Sequence, residues 1–139
     1  MTNTTKLARA LALGALLLIT GGIASCSADQ QATFTSAMQN ESFSRAFSIR
    51  STTGVSDSVL AALRNCESHG NYRAVSASGT YRGAYQFSKS TWNNVAGSVM
   101  PGYKGTDPID APTFIQDAMA RALWSRTGPR SWPVCGRRV

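Results

Sequence analysis

Acidic residues are scarce in this chain: seven Asp and Glu stand against fourteen Lys and Arg in 139 residues, for a net charge of +7. Between Glu67 and Asp107 there is no carboxylate at all. Histidine occurs once, at His69, and cysteine three times, at Cys26, Cys66 and Cys135, with no paired C-x-x-C. That set is too small for a usual zinc site, so no metal and no cofactor is expected. No internal repeat is present, which excludes solenoid and propeller architectures. The arginines are scattered along the sequence rather than gathered in a stripe, which argues against a nucleic-acid partner. The apolar run Leu11 to Ile19 is too short for a membrane span.

What is present divides the chain into three parts: 1–25, 26–55 and 56–139. Residues 1–25 hold Lys6 and Arg9, the apolar run, then Gly21 and Gly22, which is the layout of an export signal. It ends in Ile23-Ala24-Ser25-Cys26, a sequence similar to a bacterial lipobox, so Cys26 is the expected lipidation site and membrane anchor. The alternative is ordinary signal-peptidase cleavage, leaving a secreted protein with an odd thiol. With Cys26 set aside, Cys66 and Cys135 remain, and export would place them where a disulfide persists. Closing a loop of about 70 residues this way is worth roughly 4 kcal/mol on the chain-entropy account. Residues 26–55 are rich in Ser, Thr, Gln, Asn and Ala. They are expected to form a flexible tether, with at most a frayed helix across Met38 to Phe47.

From residue 56 on, helical signals dominate. Ser56 is a plausible N-cap with Asp57 in the first turn, and Val59, Leu60, Leu63 and Cys66 recur at helical spacing. The Ser, Gly and Tyr mixture from Asn71 to Phe87 predicts a loop and a short irregular hairpin. Ser88 should cap a second helix through about Ala96. The Pro and Gly content of 97–110 predicts a connection without regular structure. A last helix is expected over about 112–126, with Asp110 as its cap and Gly128-Pro129 as its stop. The fold class read from this pattern is α+β, mainly α.

The stretch from Cys66 to Trp92 concentrates the chemistry. Glu67 follows the apolar helical run and precedes Ser68, His69 and Gly70, so its carboxylate is expected where a helix ends and a loop begins. The negative end of a helix and partial burial both disfavour an ionised carboxylate, which is what a general acid at neutral pH needs. The plain alternative is a solvated surface glutamate. Tyr72, Tyr81, Tyr85, Phe87 and Trp92 follow, interleaved with the amides of Asn71 and Gln86, and flat rings with amides suit a sugar-binding cleft.

The segments C-E-S-H-G-N-Y and Y-R-G-A-Y-Q-F-S-K-S-T-W, with S-W-P-V-C at 131–135, resemble the transglycosylase-like domain of the resuscitation-promoting factors. The resemblance spans roughly residues 56–136. It implies a small lysozyme-like domain with one disulfide, acting on the glycan strands of peptidoglycan in the cell wall. Carried over residue by residue, it implies Glu67 as the catalytic acid and Tyr72, Tyr85, Gln86 and Thr91 as substrate-binding residues. Each of the latter has a plainer reading: Gln86 as a partner for buried backbone, Thr91 as a helix-start residue, Trp92 as core. Two departures stand out. Thr127-Gly128-Pro129 occupies the place of a common Gln-Gly-Trp step, and His69 stands where the motif commonly has glycine.

Most glycosidases use two carboxylates flanking the scissile bond, and C-type lysozymes have an aspartate on the hairpin after the glutamate. Here the hairpin offers Thr80, Tyr81 and Arg82 instead, leaving Asp107 and Asp110 as the possible second acids. A single-acid lytic transglycosylase or muramidase is therefore the expected activity, and a wall-binding or signalling module with little turnover is the alternative. The basic balance suits retention at an anionic wall, or is a solvated basic surface and nothing more.

Overall fold

The computed structural model describes residues 28–139; the expected export signal at 1–25 and the expected lipidation site Cys26 lie outside the described residues. Helix α1 (Ala28–Thr52) occupies the stretch whose polarity predicts a tether. Residues 28–52 of that segment are helix, well beyond the expected frayed helix across Met38 to Phe47. No Gly or Pro interrupts 28–53, and a narrow stripe of Ser42, Ala46, Ile49 and Thr53, spaced four, three and four, turns inward. Ala46 is buried, Ile49 packs on the core, and Phe43 meets Phe114 edge to face at 5.7 Å. Glu41 and Arg45 pair one turn apart at 2.8 Å.

Helix α2 (Asp57–Ser68) starts as its sequence predicts: the Ser56 Oγ accepts from the Val59 N–H at 3.2 Å. It ends at His69, whose φ of 55° is left-handed, so that its N–H reaches Asn65 O at 2.9 Å and the Gly70 N–H reaches Arg64 O at 3.1 Å. Glycine takes that conformation at least cost, which is the physical reason a glycine is common at this step of the motif.

Two short strands, β1 (Tyr81–Arg82) and β2 (Phe87–Ser88), pair antiparallel with Tyr81 opposite Ser88 and Arg82 opposite Phe87. Val75 bridges Arg82 on the other side. Helix α3 (Lys89–Val99) is capped by Ser88, as expected. Two 3-10 turns, Pro101–Tyr103 and Pro108–Asp110, lie in the connection. Helix α4 (Thr113–Thr127) has no side-chain cap, which corrects the role expected of Asp110. Asp110 sits in the preceding 3-10 turn, exposed, 3.8 Å from Arg73. Asp107 caps that turn instead, through Ile109 N–H at 3.2 Å.

The core gathers Leu60, Leu63, Tyr85, Trp92, Met100, Ile115 and Met119, all essentially sealed from solvent. Phe87 packs edge to face on Trp92 at 5.4 Å and on Trp132 at 6.1 Å, and both indole N–H groups are satisfied, by Tyr103 O and Tyr85 O. Cys66 and Cys135 form the disulfide, with Cα atoms 5.7 Å apart, tying the end of α2 to the last 3-10 turn, Cys135–Arg138. The architecture of the described residues is α+β, mainly α, with one small hairpin among them.

Candidate active site

Glu67 is the penultimate residue of α2, half-buried between the disulfide at Cys66 and the left-handed turn at His69. The next residue, Ser68, donates its hydroxyl to Ala84 O at 2.8 Å, which fastens the end of the helix to the hairpin loop. A comparison of the acids separates Glu67 from the rest. Glu41 pairs with Arg45, Asp57 with Arg50 and Arg121, Asp107 with Arg82, Asp110 with Arg73, and Asp117 with Arg64. Among the described residues Glu67 has no hydrogen bond and no ion pair, and burial alone pushes its carboxyl above the usual range. A carboxyl so placed keeps its proton to a higher pH than a solvated one, with no internal group competing for it.

Asp107 is placed for a different task. Partial burial acts to raise its pKa, but the Arg82 hydrogen bond at 2.7 Å, the Ile109 N–H and the charges of Arg82 and Lys89 outweigh it and hold the carboxyl below the usual range. The hairpin arginine and this aspartate thus neutralise each other.

The residues expected to bind substrate separate into two groups. Gln86 is half-buried in the hairpin loop with a left-handed φ of 50°, its amide donating to Gly83 O at 2.9 Å. Thr91, in the first turn of α3, accepts from the Ser88 hydroxyl at 2.9 Å and lines a shallow hollow of about 330 Å³ with Ser90, Asn94, Arg126 and Thr127. Glu67, Gln86 and Thr91 are therefore carried by consecutive elements, linked through Ser68 to the hairpin and through Ser88 to α3.

Tyr72 and Tyr85 are instead drawn together from below. Both donate their hydroxyls to Asp117 Oδ1, at 2.7 and 2.6 Å, while Arg64 Nη1 reaches the Tyr85 oxygen at 3.0 Å and Asp117 at 3.3 Å. Tyr72 keeps one face half-exposed, with the Arg64 guanidinium 5.5 Å from its ring centre. Tyr85 has no exposed surface, so its expected contact with substrate is corrected: it is a core ring. Burial first, then the bond to the Asp117 carboxylate, pushes both phenols well above their ordinary range, so they remain donors at any working pH.

Sequence reasoning missed Asp117 and its neighbour Gln116. Gln116, 1% exposed, accepts from Ala84 N–H at 3.0 Å and donates to Tyr72 O and Ala111 O, bolting the hairpin and the Tyr72 loop onto α4. A Cβ on Gly83 would come within 2.5 Å of Gln116 Oε1, and its φ of 79° is left-handed, so glycine is required there on both counts. The available signal was a polar side chain three residues before Met119 and four before Ala120, on a face otherwise apolar.

Residues 54–135, more than half of the chain, match the transglycosylase-like domain family. Relatives of similar sequence include the probable transglycosylase SceD 3 of Staphylococcus saprophyticus, 41% identical over 76 residues, covering 55% of this chain and 31% of that protein. Another is the probable transglycosylase SceD of Staphylococcus aureus, 40% identical over 86 residues, covering 60% of this chain and 36% of that protein. The chain spans about a third of the length of the curated relatives it matches. With the family match running from the start of α2 to the cysteine that closes the disulfide, this chain belongs to the transglycosylase-like domain family.

Proposed function

We propose that this domain cleaves the glycan strand of peptidoglycan between N-acetylmuramic acid and N-acetylglucosamine, with Glu67 as the single catalytic carboxylate. The observation that carries this reading is the isolation of Glu67: half-buried, raised in pKa and unpartnered, while the other carboxylates with described side chains are paired. Glu67 donates its proton to the glycosidic oxygen as the C1–O bond breaks, and the departing sugar leaves as the alcohol. The positive charge developing at C1 is met by the substrate's own acetamido oxygen or a held water, since the hairpin has an arginine engaged with Asp107 and no free carboxylate. The Glu67 carboxylate then takes a proton from the attacking group. If that group is the sugar's C6 hydroxyl, the product is a 1,6-anhydro sugar; if it is water, the product is a reducing end. The C-E-S-H-G-N-Y and S-W-P-V-C segments support a kinship with the resuscitation-promoting factors within the family.

Mass analysis of the fragments released from purified peptidoglycan tests this directly. Products lighter by one water than the hydrolytic ones identify the transglycosylase route, and reducing-end products identify a muramidase. Asp107→Asn should leave the product type unchanged and activity within a few-fold of wild type. Abolished activity in that folded variant would establish a two-carboxylate mechanism instead. Absence of released fragments would favour a glycan-binding module.

Export and anchorage through Cys26 are part of the same proposal. No described helix is long and apolar enough to cross a membrane. Cys26→Ser should move the protein from the membrane fraction to the soluble one, and unchanged partitioning would remove the anchor.

A further inference from the structure

Pairing also divides the arginines. Those at 45, 50, 64, 73, 82 and 121 are matched to carboxylates, whereas Arg126, Arg130, Arg137 and Arg138 have no hydrogen-bond or ion-pair partner among the described residues. The arginines look scattered in sequence, but the unneutralised ones fall within a single short segment. All four are exposed, so the cluster is a solvent-facing positive surface.

Its geometry is built rather than incidental. A Cβ on Gly136 would lie 2.5 Å from Pro129 O, so this glycine lets the turn Gly128–Ser131 lie directly on the turn Cys135–Arg138. That contact sets Arg130 and Arg137 around one hollow of about 180 Å³, lined by them and by Pro129 and Pro133. The hollow is smaller than the ~300 Å³ at which small-molecule sites begin, and it has no amide or ring with which to recognise a sugar. Two guanidinium-bearing side chains with two prolines beside them suit a carboxylate on a short aliphatic stem. The segment is tied to the proposed cleft by one shared hollow and by the disulfide. Arg126 shares the Thr91 hollow, and Arg137 follows Cys135, which is bonded to Cys66 beside Glu67.

We propose that Arg130 and Arg137, flanked by Arg126 and Arg138, bind the carboxylates of the peptide stems carried by the glycan strand, making the domain selective for peptide-bearing over bare glycan. This rests on the proposed action on peptidoglycan and adds a recognition element to it. The glycan lies at Glu67, Gln86 and Thr91, and each stem hanging from a muramic lactyl group is drawn toward the arginine edge.

The test uses soluble peptidoglycan chains with intact stems and the same chains stripped of peptide by an amidase. Arg130→Gln/Arg137→Gln alters two exposed side chains without partners, so folding is preserved. On peptide-bearing chains its KM should rise about three- to tenfold with kcat unchanged, within the range for two exposed charge pairs. On stripped chains it should equal the wild type, and added salt should erase the wild type's preference. Arg130→Lys/Arg137→Lys should recover only part of the loss, because the charge remains and the fork does not. An equal loss on both substrates, or no loss on either, would overturn the proposal. So would a loss that follows wall phosphodiesters rather than stems. Binding by Glu67→Gln, with and without the arginine substitutions, to insoluble peptidoglycan before and after stripping reports the same preference without turnover. It thereby separates failure of stem recognition from failure of the catalytic reading.

Discussion

Glu67→Gln will lower kcat on peptidoglycan by at least about a hundredfold while leaving KM within a few-fold of wild type, the pattern expected when a proton donor is removed and the binding surfaces stay. Glutamine keeps the size of the side chain but has no proton to transfer. The variant should also be at least as stable as wild type at neutral pH, because Glu67 has no partner to lose and burial is what raises its pKa. The sign follows from linkage: a carboxyl raised in the folded state favours folding while protonated, below its unfolded pKa. That contribution is lost as pH rises through the folded value. The melting temperature of wild type should therefore fall relative to Glu67→Gln as pH increases through that range. The same titration governs activity, so the alkaline limb of the kcat profile should lie above the ordinary carboxylate range. Unimpaired turnover by a folded Glu67→Gln protein would end the assignment. A melting temperature well below wild type would mean that the carboxylate is structural.

Reduction of the Cys66–Cys135 bond, or replacement of both cysteines by alanine, should lower the melting temperature by roughly 15–30 °C. This follows from about 4 kcal/mol for a closed loop of 69 residues and 4–8 °C per kcal/mol in a domain of this size. The effect is large because the C-terminal segment is made of short 3-10 turns with few backbone bonds of their own, held by the disulfide and by Trp132. Activity should fall as well, since the bond holds the residue next to Glu67. Differential scanning calorimetry with and without reductant, alongside turnover, gives both readings. A shift of only a few degrees would assign the anchoring of the C-terminus to Trp132 and its contacts with Phe87 and Trp124.

The caps at Ser56 and Ser88, the helix delivering Glu67, the hairpin and the disulfide were legible because each depends on neighbouring residues or on cysteine pairing. Helix α1 was not. Its inward stripe has only Ala46 and Ile49 as apolar members, too little for a hydrophobic pattern to register, and its order depends on packing against α4. The role of Tyr85 was misread for a related reason: Tyr72 and Tyr85 look alike in sequence, and only the fold buries one completely while leaving the other half-exposed.

The sequence by itself determined which groups could do chemistry. One acid stands at a helix end with no second carboxylate near it in the chain, and the two cysteines among the described residues join. Whether that acid is free could be decided only in three dimensions, because ion pairing is a property of distance. Asp117 meets Tyr85, Tyr72 and Arg64 from 32, 45 and 53 residues away, and Asp107 meets Arg82 from 25 away. No local pattern encodes such meetings. The tertiary fold pairs the other acids with described side chains and leaves Glu67 half-buried and without a partner, its pKa raised by that burial.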